Sequence, residues 1–296
     1  MAYRASVVVA IEHSTANLPA IVSNLGLGSH PEVEFVFCHT GRADPVASLA
    51  PGQNVRSIRC LDGARIPHMW RDGILSASAE SVGLLSAHCI PTKHWMTGLL
   101  SIDLRSTEAA AGGFFTNSRD ATARDWAIYL LRYVRFSRPR DDDRALEVAA
   151  DNAVYKRSEV LACRDLLERG FWEPEYHKRF FARGLRLLLT RELEVVHTNR
   201  YSAREFAAQR RDHGYAFGRD RGRSASTLRL VLYALTSPLI PAVLYAKVVG
   251  GAIERRWIGR LPRGTHFWLL FFILNWALGE ARGLFGELGK RLRLSS

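Results

Sequence analysis

Val82-Gly83-Leu84-Leu85-Ser86-Ala87-His88-Cys89-Ile90-Pro91 is the stretch whose reading decides the fold. Apolar or small residues fill its first four positions, a short polar cluster follows, and a proline ends the run. A strand buried on both faces has that pattern, and it would deliver Ser86 and His88 to the carboxyl edge of a sheet. In open α/β sheets, ligands bind at that edge. By itself the stretch suits a core strand with an ordinary turn equally well, so its neighbours must decide.

Towards the amino terminus, Ala5 to Ile11 is a β-branched run typical of a buried parallel strand. Glu12-His13-Ser14 is a polar loop, and the apolar residues from Asn17 to Leu25 have helical spacing. Further strands are expected at Val33 to Cys38, ending in His39-Thr40-Gly41, and at Val55 to Ile58. Ile66 to Ala79, containing Arg71-Asp72-Gly73, reads as the helix crossing back to Val82. Strands alternating with helical stretches predict an α/β fold with a mainly parallel sheet and right-handed crossovers.

The composition bounds the rest. With 47% hydrophobic and 24% charged residues, wholesale disorder is excluded. Net charge is +12, and from His197 onward there are 17 Lys+Arg against 6 Asp+Glu, so nearly all the excess sits in the last third. Those basic residues flank two apolar runs, Leu228 to Ile253 and Thr265 to Leu278, which suits an anionic membrane face better than nucleic acid. The first run is long enough to cross about 30 Å of hydrocarbon, with Pro238 and Pro241 as kinks. The second is shorter, and Glu280 with Arg282 is expected to close it. Basic residues lie on every flank, so the charge pattern orients no hairpin. Two spans, two re-entrant or in-plane helices, and two buried helices of a soluble unit all remain open. Cys38, Cys60, Cys89 and Cys163 have no metal-ligand spacing. The opening segment lacks a signal-peptide core, so the first domain is expected on the cytoplasmic side.

In order, these pieces resemble the family 2 glycosyltransferases. Val7 to His13 looks like their opening strand and loop, His39-Thr40-Gly41 their acidic-Gly turn, and Arg71-Asp72-Gly73 a shortened Arg-Asn-x-Gly helix. Ser86-Ala87-His88-Cys89-Ile90-Pro91 falls on their metal-binding Asp-x-Asp, with Trp95 and Gly112-Gly113 following. Asp151 to Arg157 looks like their Gly-x-Asn-x-x-Tyr/Phe-Arg-Arg segment. Phe171 to Glu175, with Arg179 and Gly184, resembles their Glu-Asp-x-Asp stretch. The likeness runs from about Ser6 to Gly218. It implies a GT-A-like domain over residues 1–220 and a nucleotide-diphosphate sugar as donor, while the two apolar runs make residues 221–296 a membrane-associated helical region. It also implies a membrane-near or lipid-linked acceptor, membrane lipids as partners and no nucleic acid.

By the same resemblance Glu173 is the catalytic base and Glu175 its neighbour or substitute. Glu12, His39, Arg71, Asp72, Ser86 and His88 stand on the nucleotide-sugar side, and Asp151 and Asn152 on the acceptor side. A divalent ion, Mn²⁺ or Mg²⁺, would sit at His88. The family's metal aspartates are replaced here by Ser86 and His88. That is a weak donor set for a hard cation, which normally takes paired carboxylates. Two expectations follow: an inverting, single-sugar transferase, or an inactive relative acting as a binding or assembly partner. The bland alternatives are a solvated helix-start glutamate for Glu173, a backbone-satisfied histidine for His88, a surface ion pair for Arg71 and Asp72, and a polar turn for Asp151-Asn152. Asp125 to Phe136 reads as a helix with an aromatic core stripe, Tyr201 to Arg211 as an amphipathic interface helix, and Asp141-Asp142-Asp143 as a loop with no strand behind it.

Overall fold

The computed structural model describes residues 3–12, 14–47, 52, 54–137, 145–198 and 201–294; the Asp141 to Asp143 loop lies outside them. The chain forms two compact units, one of residues 1–118 and 135–198, the other of residues 119–134 and 199–296.

The first unit is built on an eight-stranded sheet. β1 (Ala5–Ile11) pairs in parallel with β2 (Val33–His39) on one side. A short helix, α1 (Leu18–Leu25), connects them and ends at Gly26, whose left-handed φ of 58° lets the chain turn out of the helix. β3 (Val55–Arg59) extends the parallel block beyond β2. α2 (Ile66–Ser76) then returns the chain to β4 (Ser81–Ser86), parallel to β1 on its other side. Strand order around β1 thus reverses, and the switch point lies between β1 and β4. That is where open α/β sheets leave a crevice at the strands' carboxyl ends.

β5 (Cys89–Pro91) is the far edge of the sheet, a position that tolerates a proline. α3 (Trp95–Ser101) leads to β6 (Glu108–Asn117). Past α4 (Ala123–Tyr133), which belongs to the second unit, comes β7 (Asn152–Lys156), antiparallel to both β4 and β6. α5 (Arg157–Leu161), α6 (Arg164–Leu167) and α7 (Glu173–Ala182) lead into β8 (Arg186–His197), parallel to β6 and antiparallel to β5. The order is β3-β2-β1-β4-β7-β6-β8-β5. α2 covers the sheet face carrying Val8, Val36, Val82, Leu84 and Tyr155. A Cβ on Gly73 would collide with Val8, so the glycine of Arg71-Asp72-Gly73 sets the close approach of helix to strand.

The second unit is helical. α8 (Ala203–Ser224) starts at a capping box between Ser202 and Glu205. α9 (Thr227–Thr236) and α10 (Ile240–Glu254) are separated by a 3-10 turn at Ser237–Leu239, with Pro238 in the turn and Pro241 in the first turn of α10, at the positions of the expected kinks. α11 runs from Thr265 to Leu294. The helix therefore continues past the end of the second apolar run, and Glu280 at that end is not a helix stop. It is buried within α11 and ion-paired to Arg221 at 3.0 Å. The interface helix expected to Arg211 continues to Ser224, because Gly214, Gly218 and Gly222 keep packing against α11. By length and composition, the segments Thr227–Glu254 and Thr265–Arg293 are long and apolar enough to cross a membrane.

Candidate active site

The carboxyl edge of the parallel block gathers four of the ten singled-out residues, Glu12, His39, Ser86 and His88. Glu12 follows β1 directly. His39 ends β2 opposite Ile11, and Ser86 ends β4 opposite Ala10. The Ala87-His88 turn is pinned from three directions. Ala87 N–H donates to Ala10 O (2.9 Å), Asn17 Nδ2 donates to Ala87 O (2.8 Å), and Thr198 N–H donates to His88 O (2.9 Å). His88 itself is buried at 2% exposure. Beside it, Cys89 pairs with His197, whose Nδ1 lies 3.4 Å from Asn117 Oδ1.

Two buried polar atoms at this edge, Ser86 Oγ and His39 Nδ1, have no hydrogen-bond partner among the described residues. Buried polar groups are nearly always satisfied, so a pair of exceptions at a switch point calls for an explanation.

Asp151 arrives from the other direction. The β4–β7 ladder ends at Leu85 with Asn152, and Asp151 is the turn residue immediately before β7, beyond that end of the ladder. Asn152 is turned inward. Its Oδ1 accepts from Trp95 Nε1 (2.8 Å), and its Nδ2 donates to Phe114 O (3.0 Å) and Leu193 O (3.1 Å). The amide is spent within the fold, clamping the irregular Gly112–Phe114 pairing of β6 with β8. Gly113 is required there, since a Cβ would meet Asn152 and Leu193.

Glu173, half-buried, opens α7, and His177 one turn later shares its face. Tyr155 Oη lies 3.1 Å from His177 Nε2, with the two rings stacked. Burial, then the negative charges of Glu173 and Asp151, hold the Tyr155 hydroxyl well above the usual phenol range. Burial pushes His177 down to about 4, so its ring is neutral at neutral pH. At neutral pH the pair beside Glu173 is thus a protonated phenol and an uncharged imidazole, with no positive charge of its own. Reading the sequence missed the Tyr155–His177 pair, although the Glu173-to-His177 spacing of four was there to see.

The remaining candidates turn to other partners. Glu175 is exposed and ion-paired with Arg169 at 3.2 Å. Arg71 and Asp72 pair with each other at 2.7 Å, both partly exposed, and Arg71 Nη1 also reaches Glu168 O.

A resident divalent ion does not fit these donors. Among the described residues, no three His, Cys, Asp or Glu side chains form a group able to hold one.

No family model and no curated protein matches the sequence. Solved structures do. A mannosyltransferase from Pyrobaculum calidifontis, solved with GDP-Man and Mn²⁺, is 13% identical over 94% of this chain and 86% of that one, with a TM-score of 0.55. GalNAc-T7, solved with UDP, GalNAc and Mn²⁺, is 13% identical over 71% of this chain and 47% of that one, with a TM-score of 0.48. A mycobacterial protein is 16% identical over 72% and 73%, with a TM-score of 0.44. The fold of this chain is therefore a GT-A-like α/β fold similar to that of the archaeal mannosyltransferase: a mainly parallel sheet flanked by helices, with apolar helices at the carboxyl end.

Proposed function

We propose that the protein is a glycosyltransferase that moves one sugar from a nucleotide-diphosphate donor to a membrane-near acceptor, with inversion at the sugar carbon. The observation that carries this reading is the pair of unsatisfied buried polar atoms, Ser86 Oγ and His39 Nδ1, at the switch point of a GT-A-like sheet, where the β4–β7 ladder ends just before Asp151. A ligand rich in phosphate and hydroxyl oxygens satisfies such groups. The fold supports the same reading, and the archaeal neighbour was solved with a nucleotide sugar.

In this proposal Glu12 and His39 contact the nucleotide, while Ser86 and His88 hydrogen-bond the diphosphate. Arg71 and Asp72, already paired, act at most as a wall of the nucleotide side. Asp151 orients the acceptor. Glu173 takes the acceptor proton as the new bond to the sugar carbon forms and the bond to the diphosphate breaks. Tyr155 and neutral His177 pack beneath Glu173 and keep its surroundings dry. General-base removal of the proton is worth about 10²- to 10⁴-fold in rate. Fixed dipoles around the leaving diphosphate supply the rest of the stabilisation. No step is assigned to a metal, because the donor set does not fit one.

Thermal shifts with a panel of nucleotide sugars identify the donor, since a bound donor raises stability by mass action. Transfer is then followed with EDTA and with Mn²⁺. Transfer that survives EDTA and is lost in Glu173→Gln supports the proposal. Failure of every nucleotide sugar to bind, with or without metal, sinks it and leaves a non-catalytic relative.

A further inference from the structure

The helical unit holds an arrangement that length and apolarity alone misjudge. α8 is strongly charged, carrying Arg204, Arg210, Arg211, Arg219, Arg221 and Arg223 with Glu205, Asp212 and Asp220. Yet it packs along α11. Phe206 meets Phe272, Gly214 lies against Trp276, Gly218 against Glu280, and Gly222 against Glu287. From the other side, Gly279 and Gly283 approach Arg211 and Tyr215. Arg291 reaches back to Gly222 O at 2.8 Å. The two helices thus run side by side from Phe272 to Arg291, about 29 Å at 1.5 Å per residue.

The charges between them are bound in pairs. Arg221 meets Glu280 at 3.0 Å and stacks over Tyr233 at 3.8 Å. Lys290 meets Glu287 at 2.7 Å, and Arg223 joins that carboxylate at 3.5 Å. Arg210 lies over Trp276 at 4.3 Å. Arg211, Asp212, Asp220 and Arg223 remain exposed to solvent along α8.

The opposite face of α11 is bare and apolar: Phe267, Leu270, Phe271, Leu274, Leu278, Phe285 and Leu292. At 100° per residue this set and the set facing α8 centre about half a turn apart. α9 carries a similar stripe at Leu228, Leu232 and Leu235, continued past the 3-10 turn by Leu239 and Val243. Between α10 and α11, the exposed Arg256, Arg260 and Arg263 surround Trp257 and Ile258.

A helix crossing the bilayer along α11 would drag α8 with it and sink those charges to the depth where a charged side chain is most costly. The apolar part of α11, Thr265 to Leu278, is in any case only about 21 Å long, short of the hydrocarbon thickness. We infer that the helical unit is a one-sided anchor: α9, α10 and α11 lie in the plane of one anionic leaflet, apolar stripe inward, with α8 on the aqueous side and no helix crossing. The occupant of the bare face is a lipid surface of negative charge, chosen by the arginines that rim it. This deepens the membrane-near part of the proposed function and does not depend on donor chemistry.

Sidedness tests it directly on the full chain. Gly259 has open space around it, Asp62 in the first unit is exposed, and all four native cysteines are buried. Gly259→Cys and Asp62→Cys are labelled separately with a membrane-impermeant maleimide on sealed membranes of defined orientation. Labelling of both from the same side is expected; labelling from opposite faces means a spanning hairpin and overturns the inference. Purified protein is also floated with vesicles of phosphatidylcholine alone or mixed with phosphatidylglycerol. At least tenfold more binding to the anionic vesicles is expected, with a tenfold loss in the triple variant Phe267→Asp, Leu274→Asp, Leu278→Asp at unchanged melting temperature. Equal binding to both vesicles, or no binding together with a stable dimer in solution, also overturns it. Donor thermal shifts, read on the same samples, report the sugar-transfer reading separately.

Discussion

The two edges of the parallel block treat buried polar groups in opposite ways. At the amino edge, Ser6 and Glu34 face each other across β1 and β2. Ser6 Oγ donates to Glu34 (2.7 Å), Ser78 donates to it through its N–H (2.9 Å) and its hydroxyl (3.1 Å), and Arg56 forms an ion pair with it. Burial works against the ionised carboxyl, but these hydrogen bonds and the arginine outweigh it and hold Glu34 below the usual carboxylate range. At the carboxyl edge, Ser86 Oγ and His39 Nδ1 are just as buried and have no partner among the described residues. A satisfied buried group rigidifies a fold, whereas an unsatisfied one waits for something to bind. The same sheet is finished at one end and left open at the other.

The sharpest way to break that contrast is at the proposed base. Glu173→Gln keeps shape and removes the proton acceptor, so transfer should fall about 10²- to 10⁴-fold with a melting temperature within about 2 °C of the parent. A large stability loss instead would place Glu173 with the finished edge. There, Glu34→Ala should lower unfolding free energy by about 2–4 kcal/mol in urea titration, because Ser6 and Ser78 are left unsatisfied in the core. Donor affinity should not change.

His177 tests the base's surroundings through pH. Its folded value of about 4 lies below the unfolded value near 6.5, so the unfolded chain binds more protons between them. Stability from the neutral ring is complete above about pH 6.5 and drains away as pH falls through 4, by up to about 3 kcal/mol. His177→Gln should flatten that acid limb in melts taken from pH 7 to pH 4. At the open edge, Ser86→Ala should cost about 1 kcal/mol or less in folding, since it breaks no bond, while donor affinity falls about tenfold in calorimetry. Smallest of all is Glu175→Gln. Its ion pair with Arg169 is exposed, and the stability change should stay within about 0.5 kcal/mol.

The regular elements of the first half were legible because apolar periodicity reports local burial. β1, β2, β3 and β4 all lie where β-branched or apolar runs predict them, within a residue or two. α2 stops at Ser76 rather than Ala79, because Ala77 takes an extended backbone. β6 and β7 went unread as strands. The Ala- and Gly-rich core of β6 carries little strand propensity and β7 is only five residues long; in the fold Val148 packs against Gly112, and Asn152 and Leu193 against Gly113.

By itself, then, the sequence settled which residues end strands and which helical faces are apolar. That made Glu12, His39, Ser86 and His88 visible as an edge. Only the tertiary structure decided that β4 lies across β1 from β2, putting the switch point at Ser86. It also brought Asp151 in ahead of an antiparallel strand, set Tyr155 against His177, and laid an arginine-rich helix along the second apolar segment of the chain. The physical reason is range: periodicity reads the burial of a residue's own face, whereas strand order and helix partners depend on contacts between residues a hundred positions apart.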